Sequence, residues 1–270
     1  MYYNASLSIY DNFLLLSTDP FFFPILGIAV FCVAISKSGF GGGLGGLGFP
    51  IMVLVLPPKF ALAVFLPLII LTDIWVVFLW RKFFLLHILW MMVLGGVLGQ
   101  LACWFFFNHL DDNSILILIG LMALITSVKY FITKFFDKQN PNDVINFIKP
   151  TILRAIGWCS LSGFASFIAW AGSIPAQIFL LPIGIDRRKF VATMSFYFFF
   201  INITKVPFFI DLQIINYESL FLSMTLLPVL PLGVIFGRWL NLRISDKLFY
   251  NISHVALFLC GTNLIMKQVL

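Results

Sequence analysis

Ser36-Lys-Ser-Gly-Phe-Gly-Gly-Gly-Leu-Gly-Gly-Leu-Gly-Phe-Pro50 is the stretch that decides the fold, because it places seven glycines within otherwise apolar chain. Each glycine in a helix interior costs about 1 kcal/mol relative to alanine, so a helix cannot run stably through this stretch. Inside a bilayer, broken backbone is tolerated only where protein buries it or where it lines a wet cavity. With Lys37 at its edge, the stretch predicts a solute site inside a membrane.

The composition predicts a polytopic, all-α membrane protein. Of its 270 residues, 61% are hydrophobic and 10% are charged, whereas a soluble domain is about 25% charged. At about 20 residues per span, the length leaves room for roughly eight to ten spans and for no sizeable soluble domain. The cations lie at predicted span ends, where positive charge marks the cytoplasmic side, so the net charge of +6 indicates a lipid bilayer and not nucleic acid.

A polar connector divides the chain into two membrane halves. It contains Asn140-Pro141 and a high density of charge, which mark a loop. We expect an N-terminal extracytoplasmic segment at 1–19, a first transmembrane repeat at 20–132, a cytoplasmic linker at 133–150 and a second transmembrane repeat at 151–270.

The two halves share motifs in the same order, which predicts an internal repeat. The shared motifs, first half before second, are Ser38-Gly39-Phe40 with Ser162-Gly163-Phe164, Asp73 with Asn202, and Gly95-x-x-x-Gly99 with Gly233-x-x-x-Gly237. Each half has about five apolar segments. Because that number is odd, the halves would be inverted relative to each other and both termini would lie outside.

Two apolar segments, 47–57 and 173–184, are too short to cross a hydrocarbon core of about 30 Å. They are predicted to be the return legs of re-entrant hairpins, one starting each repeat. Interrupted segments at matching positions of two inverted repeats often form the substrate site of a secondary transporter near the bilayer midplane.

Polar residues at and near the two breaks form the candidate site, since glycine amides and lysines bind anions. The predicted substrate-binding residues are Lys37, Ser38, Gly39, Gly41, Gly42, Gly43, Ser162, Gly163, Ser173, Gln177, Asn202 and Lys205. Asp73 is the candidate for proton coupling, because an acid within a span usually faces the bundle interior. Lys205 would either pair with Asp73 or bind the anion. For Trp170, at the second break, packing is favoured over a role as a cavity wall.

Packing offers an alternative explanation of these residues. The glycines would permit close helix crossing, and the lysines would extend toward an interface.

No pattern in the chain indicates an enzyme, a cofactor or a metal site. The glycines lack the Gly-Lys-[Ser/Thr] of a Walker loop, and no soluble βαβ unit surrounds them. The three histidines lie at or near span ends without ligand spacing, and the four cysteines form no Cys-x-x-Cys pair. We therefore expect no enzymatic activity, no cofactor and no metal.

Two ordered sets of motifs carry a family resemblance. The first half reads Lys37-Ser38-Gly39-Phe40-Gly41-Gly42-Gly43-Leu44-Gly45, Pro50, Leu66-Pro67, Thr72-Asp73-Ile74 and Arg81-Lys82. The second half reads Ser162-Gly163-Phe164, Pro175-x-Gln177-x-x-Leu180-Leu181-Pro182, Asn202 and Lys205-x-Pro207. Together they cover about residues 20–267 and resemble the sulfite exporter TauE/SafE-type family of membrane transporters for sulfur-containing anions.

The resemblance implies a multi-pass inner-membrane transporter of bacterial type for sulfite or for sulfonates such as sulfoacetate and isethionate. We expect a secondary transporter that works by alternating access with Asp73 coupling protons, since no ATP-binding motif occurs in the chain. A homodimer is left open. The chain departs from its relatives at Trp170-Ala171-Gly172-Ser173-Ile174-Pro175, where they often carry His-Ala-Gly-Gly-Pro-Pro.

Four alternative functions compete with this expectation. They are an anion channel, a transporter of a small carboxylate, a membrane enzyme acting on a lipid-linked substrate, and a partner subunit without a site of its own. The enzyme would be favoured by paired catalytic carboxylates or a histidine cluster in the spans, and the sequence shows neither.

Overall fold

The computed structural model of this chain is helical throughout its regular elements. It describes residues 20–40, 48–107, 109–136, 149–243, 251, 254–255, 258–259 and 261–266. Within these residues there is no β-strand. The all-α fold class predicted from composition is therefore confirmed for this part of the chain.

The first half forms a long helix, a short helix and three further long helices. They are α1 (Phe22–Phe40), α2 (Gly48–Met52), α3 (Pro58–Trp80), α4 (Leu86–Phe107) and α5 (Asp112–Phe136). Helix α3 begins at Pro58, and proline suits the first turn because it has no N–H group and an N–H group there would have no partner within the helix. The predicted short segment 47–57 corresponds to α2 and the turn that follows it.

The second half begins in the same order, with a long, a short and a long helix, and continues with two shorter helices. It contains α6 (Ile152–Ala169), α7 (Ser173–Leu180) with a 3₁₀ turn at Leu181–Ile183, α8 (Arg187–Asp211), α9 (Tyr217–Leu226) and α10 (Val229–Arg243). The predicted short segment 173–184 corresponds to α7 and its 3₁₀ turn. Helical residues also occur within 251–266.

Five helices within the described residues are long and apolar enough to span a membrane. They are α3, α4, α5, α6 and α8, and the pair α9 and α10, bent by 49°, would make a sixth span. This is fewer than the eight to ten spans obtained by dividing the chain length by 20. The difference arises partly because the segments Phe22–Ser38 and Ser173–Ile183 are shorter apolar helices.

Helices of one half pack on helices of the other. Helix α4 packs on α6, α1 packs on α10, and α3 packs on α8. The contacts are close because glycines line them. A Cβ at Gly99 would collide with the carbonyl of Ser160, and one at Gly237 would collide with Ser38. Each Gly-x-x-x-Gly motif thus packs on the first long helix of the opposite half, as small residues allow in membrane helix pairs.

Candidate functional site

Four residues singled out in the sequence converge at the contact between α1, α3 and α8. Lys37 lies on α1, Asp73 on α3, and Asn202 and Lys205 on α8. Their exposed fractions are 7%, 3%, 1% and 0%. We call these four residues the buried charge cluster. It joins two helices of the first half to one helix of the second.

Asp73 uses both carboxylate oxygens within the cluster. The Lys37 ammonium donates a hydrogen bond to Asp73 Oδ1 in a buried ion pair. The Asn202 amide donates from Nδ2 to Asp73 Oδ2 at 2.6 Å. A charge taken out of water costs a great deal of free energy unless it is paired and hydrogen-bonded, and these two contacts supply both conditions.

Lys205 is held by neutral groups. Its Nζ donates to the Ser166 carbonyl oxygen at 2.8 Å, to Ser166 Oγ at 2.8 Å and to Asn202 Oδ1 at 3.1 Å. It also lies 3.6 Å from the ring centroid of Trp170, in a cation–π contact. All three ammonium protons therefore have acceptors, and no carboxylate of the described residues is among them. Asn202 links this cation to the Lys37–Asp73 pair.

The break between α6 and α7 positions Trp170 and Ser166. Trp170 ends α6 in the left-handed conformation, with φ of 55°, and its backbone N–H donates to the Ser166 carbonyl at 3.2 Å. The Ser162 hydroxyl donates to the Gly172 carbonyl at 2.5 Å and closes the turn. This C-terminal cap brings the Ser166 carbonyl and the Trp170 ring to the side chain of Lys205.

Several predicted substrate-binding residues have structural contacts outside the cluster. The Ser38 hydroxyl donates to the Ala34 carbonyl of its own helix at 2.7 Å. Gly163 faces the backbone of Gly96, so it allows the close approach of α6 and α4. Ser162 braces the turn described above. These three residues thus take part in helix packing and turn formation.

The remaining predicted residues lie near the breaks. Ser173 is buried at the start of α7, Gln177 is half-buried on the same helix, and Gly39 lies in the last turn of α1. Gly41, Gly42 and Gly43 lie outside the described residues.

Two polar residues at the contact of α4 with α8, Gln100 and Thr204, were not predicted from the sequence. Gln100 on α4 is fully buried; its Nε2 donates to the Ile201 carbonyl at 2.7 Å, and its Oε1 accepts from Thr204 Oγ1 at 2.8 Å. Ile201 and Thr204 flank Asn202 and precede Lys205, so Gln100 fixes this part of α8. A lone amide within the apolar run of α4 was the available signal.

The charges of the cluster favour an anion. Two ammonium groups and one carboxylate, when all are ionised, leave one formal positive charge in a water-poor setting, which attracts negative solutes. Within the described residues, no group of three or more His, Cys, Asp or Glu side chains could hold a metal ion.

Comparison with known proteins gives one match. The sequence profile of the family described as sulfite exporter TauE/SafE matches residues 26–264, nearly the whole chain. No curated protein and no solved structure matches the chain. With several apolar helices of spanning length and this match, the chain belongs to the sulfite exporter TauE/SafE family of membrane transporters.

Proposed function

We propose that this protein is a secondary transporter that moves sulfite or a small organosulfonate, such as sulfoacetate or isethionate, across the inner membrane. The observation that carries the proposal is the buried charge cluster, in which both halves of the chain contribute charged or amide groups. Ionisable groups within membrane segments are costly and mark ion and substrate pathways. The net positive charge of Lys37, Asp73 and Lys205 would attract a monovalent oxyanion.

We also infer that the two halves are inverted repeats, each starting with a hairpin that re-enters the membrane. The reciprocal packing supports this inference. Helix α4 of the first half contacts α6, and α10 of the second half contacts α1, while α3 and α8 contact each other. A pseudo-twofold relation between halves produces such an exchange. On this proposal the chain divides into 1–19, 20–132, 133–150 and 151–270, with the linker inside and both termini outside.

The position of the cluster between the halves supports alternating access. Movement of one half against the other would separate Asp73 from Asn202, and would expose Lys37 and Lys205 to one side of the membrane at a time. Transporters built from inverted repeats move in this way around a fixed midplane site.

Asp73 is proposed to couple protons to the anion. Its carboxylate already forms an ion pair with the Lys37 ammonium, which an incoming anion would need as its own counter-charge. Protonation of Asp73 would release that ammonium, so one proton and one anion would enter the site together. The net charge of the cluster would then be the same before and after loading.

The other predicted residues would complete the anion site at the two helix breaks. Ser38, Gly39, Gly41, Gly42 and Gly43 would contribute from the first half. Ser162, Gly163, Ser173 and Gln177 would contribute from the second half. Backbone N–H groups at such breaks suit an oxyanion because they carry partial positive charge.

The proposal is tested by flux into proteoliposomes. With purified wild-type protein, an acid-outside pH step should drive saturable uptake of sulfite or isethionate against its concentration gradient. Lys37→Ala should abolish uptake, whereas Lys59→Ala, which removes a lysine outside the cluster, should not. Uptake that never saturates and never concentrates the anion would favour a channel, and uptake unaffected by Lys37→Ala would remove Lys37 from the site.

A further inference from the structure

Trp170 has a buried donor that is not used. Its side chain is 6% exposed, and its ring lies 5.7 Å from the ring of Phe65 and 3.6 Å from Lys205 Nζ. Its indole Nε1 has no hydrogen-bond partner among the described residues. Buried polar side-chain atoms nearly always have a partner, because an unsatisfied group loses its bonds to water without replacing them.

The backbone of Trp170 is a second unfavourable feature at the same position. A φ of 55° is rarely adopted by a bulky residue, and a helix that ends in this conformation usually does so at glycine or asparagine. Strained residues with an unsatisfied group cluster at ligand sites, where the surrounding structure holds them. A phenylalanine would provide a similar ring beneath Lys205 without the unpaired donor, so packing does not explain the indole nitrogen.

We propose that the Trp170 indole N–H is a ligand of the transported anion, donating a hydrogen bond to one of its oxygens beside Lys205. The inference rests on the proposed function and adds a residue that determines which anions bind. An indole N–H can only donate, so its ligand must present an acceptor. The ammonium over the ring adds positive charge, which excludes a cation and selects an oxyanion.

The contacts of Lys205 give its ammonium and the Trp170 indole N–H different roles in binding the anion. Its three protons are already accepted by Ser166 and Asn202, so a direct bond to the anion would first require one of them to be displaced. The indole N–H requires no such exchange. The anion would therefore bond to Trp170 at the ring edge, where an aromatic ring carries partial positive charge, and Lys205 would attract it from the ring face.

The experiment measures binding of sodium sulfite and sodium isethionate to purified protein. Trp170→Phe keeps an aromatic ring and removes the donor. It should raise the dissociation constant by about tenfold, as expected for a lost bond to a charged acceptor. Trp104→Phe is the matched control. Trp104 Nε1 donates to Asp211 Oδ2 at 2.9 Å, near the end of α8 and outside the cluster. This variant should bind within about twofold of wild type, because the lost donor is not a ligand.

A second readout reports on the bond itself. In wild-type protein with 15N-labelled tryptophan, the indole resonance of Trp170 is identified by its absence from the Trp170→Phe spectrum. It should move downfield when the anion saturates the site. A purely structural tryptophan would not show this shift. If the Trp170→Phe protein fails to fold, the resonance of Trp170 is identified in its place by replacing the other six tryptophans with phenylalanine one at a time, and its chemical shift in wild type decides the question.

The outcomes separate this inference from the function on which it rests. An indole resonance that stays in place during saturable anion binding overturns the role of Trp170 and leaves the transporter proposal intact. Unchanged affinity in Trp170→Phe does the same. Failure of wild-type protein to bind or transport either anion overturns both.

Discussion

The Lys37 ammonium and the Asp73 carboxylate form a buried ion pair between α1 and α3, and Asn202 of the other half donates to the second carboxylate oxygen at 2.6 Å. Asp73 therefore connects the cation of the first half to the amide of the second. Any step that neutralises this carboxylate would loosen the contact between the halves and free Lys37 at the same time. Stability and transport are thus expected to depend on the same side chain.

Replacing Asp73 with Asn should destabilise the protein by about 3–5 kcal/mol, because it leaves the buried Lys37 ammonium without a counter-charge. The double variant Lys37→Met with Asp73→Asn should lose less than the sum of the two single variants. Thermal unfolding of purified protein in detergent provides the measurement. Strictly additive losses would mean that the ion pair contributes no coupling free energy.

Asp73→Asn should also remove the pH dependence of uptake, since an amide does not titrate. Proteoliposomes that contain this variant should show no accumulation driven by an acid-outside pH step. An anion gradient alone should still drive any residual flux. A variant that still concentrates sulfite in response to the pH step would contradict proton coupling at Asp73.

Replacing Gly163 with Ala should destabilise the protein by about 1–3 kcal/mol, because the added Cβ would collide with the carbonyl of Gly96 on the neighbouring helix. Gly157→Ala is the control on the same helix. Its Cβ would meet nothing within 4 Å, so it should be neutral or slightly stabilising. The comparison uses unfolding temperatures, and equal values for the two variants would show that α4 and α6 are not in close contact.

Asp186 should stabilise the start of α8 in a pH-dependent way. The backbone N–H of Lys189, together with its ammonium and the N–H of Arg188, holds the pKa of the Asp186 carboxyl below its ordinary value of 3.8. Because the pKa is lower in the folded state, the ionised Asp186 carboxylate stabilises the folded protein above the ordinary pKa. This stabilisation is lost as the pH falls through the folded-state pKa. The advantage of wild type over Asp186→Ala in unfolding temperature should therefore be larger at pH 6 than at about pH 3. An advantage that grew toward acid would contradict this sign.

The proposed orientation predicts which exposed loop positions react from each side of the membrane. In a variant without native cysteines, a cysteine at Asp111 or Gln213 should react with an impermeant thiol reagent added outside cells. A cysteine at Lys82 should react only after the membrane has been permeabilised, so that the reagent reaches the cytoplasmic side. The reason is that loops rich in Lys and Arg stay inside. Reaction of Lys82→Cys from outside would reverse the orientation.

The sequence alone was sufficient for the class of protein and for the members of the cluster. A chain that is 61% hydrophobic cannot present a soluble surface. Lys37, Asp73, Asn202 and Lys205 stand out in it because polar groups in lipid need partners. The two short helices were also predictable, since broken segments and prolines act on the local backbone.

Only the tertiary structure decided which groups meet. The sequence allowed Asp73 to pair with Lys205, but the structure pairs it with Lys37 and places Asn202 between the two cations. It also brings the Trp170 ring to Lys205, where sequence favoured packing alone. Apart from the contact of Asn202 with Lys205 within α8, these contacts join residues from 35 to 129 positions apart. Such contacts follow from how closely the helices of the two halves approach and how they cross, and no local propensity encodes that geometry.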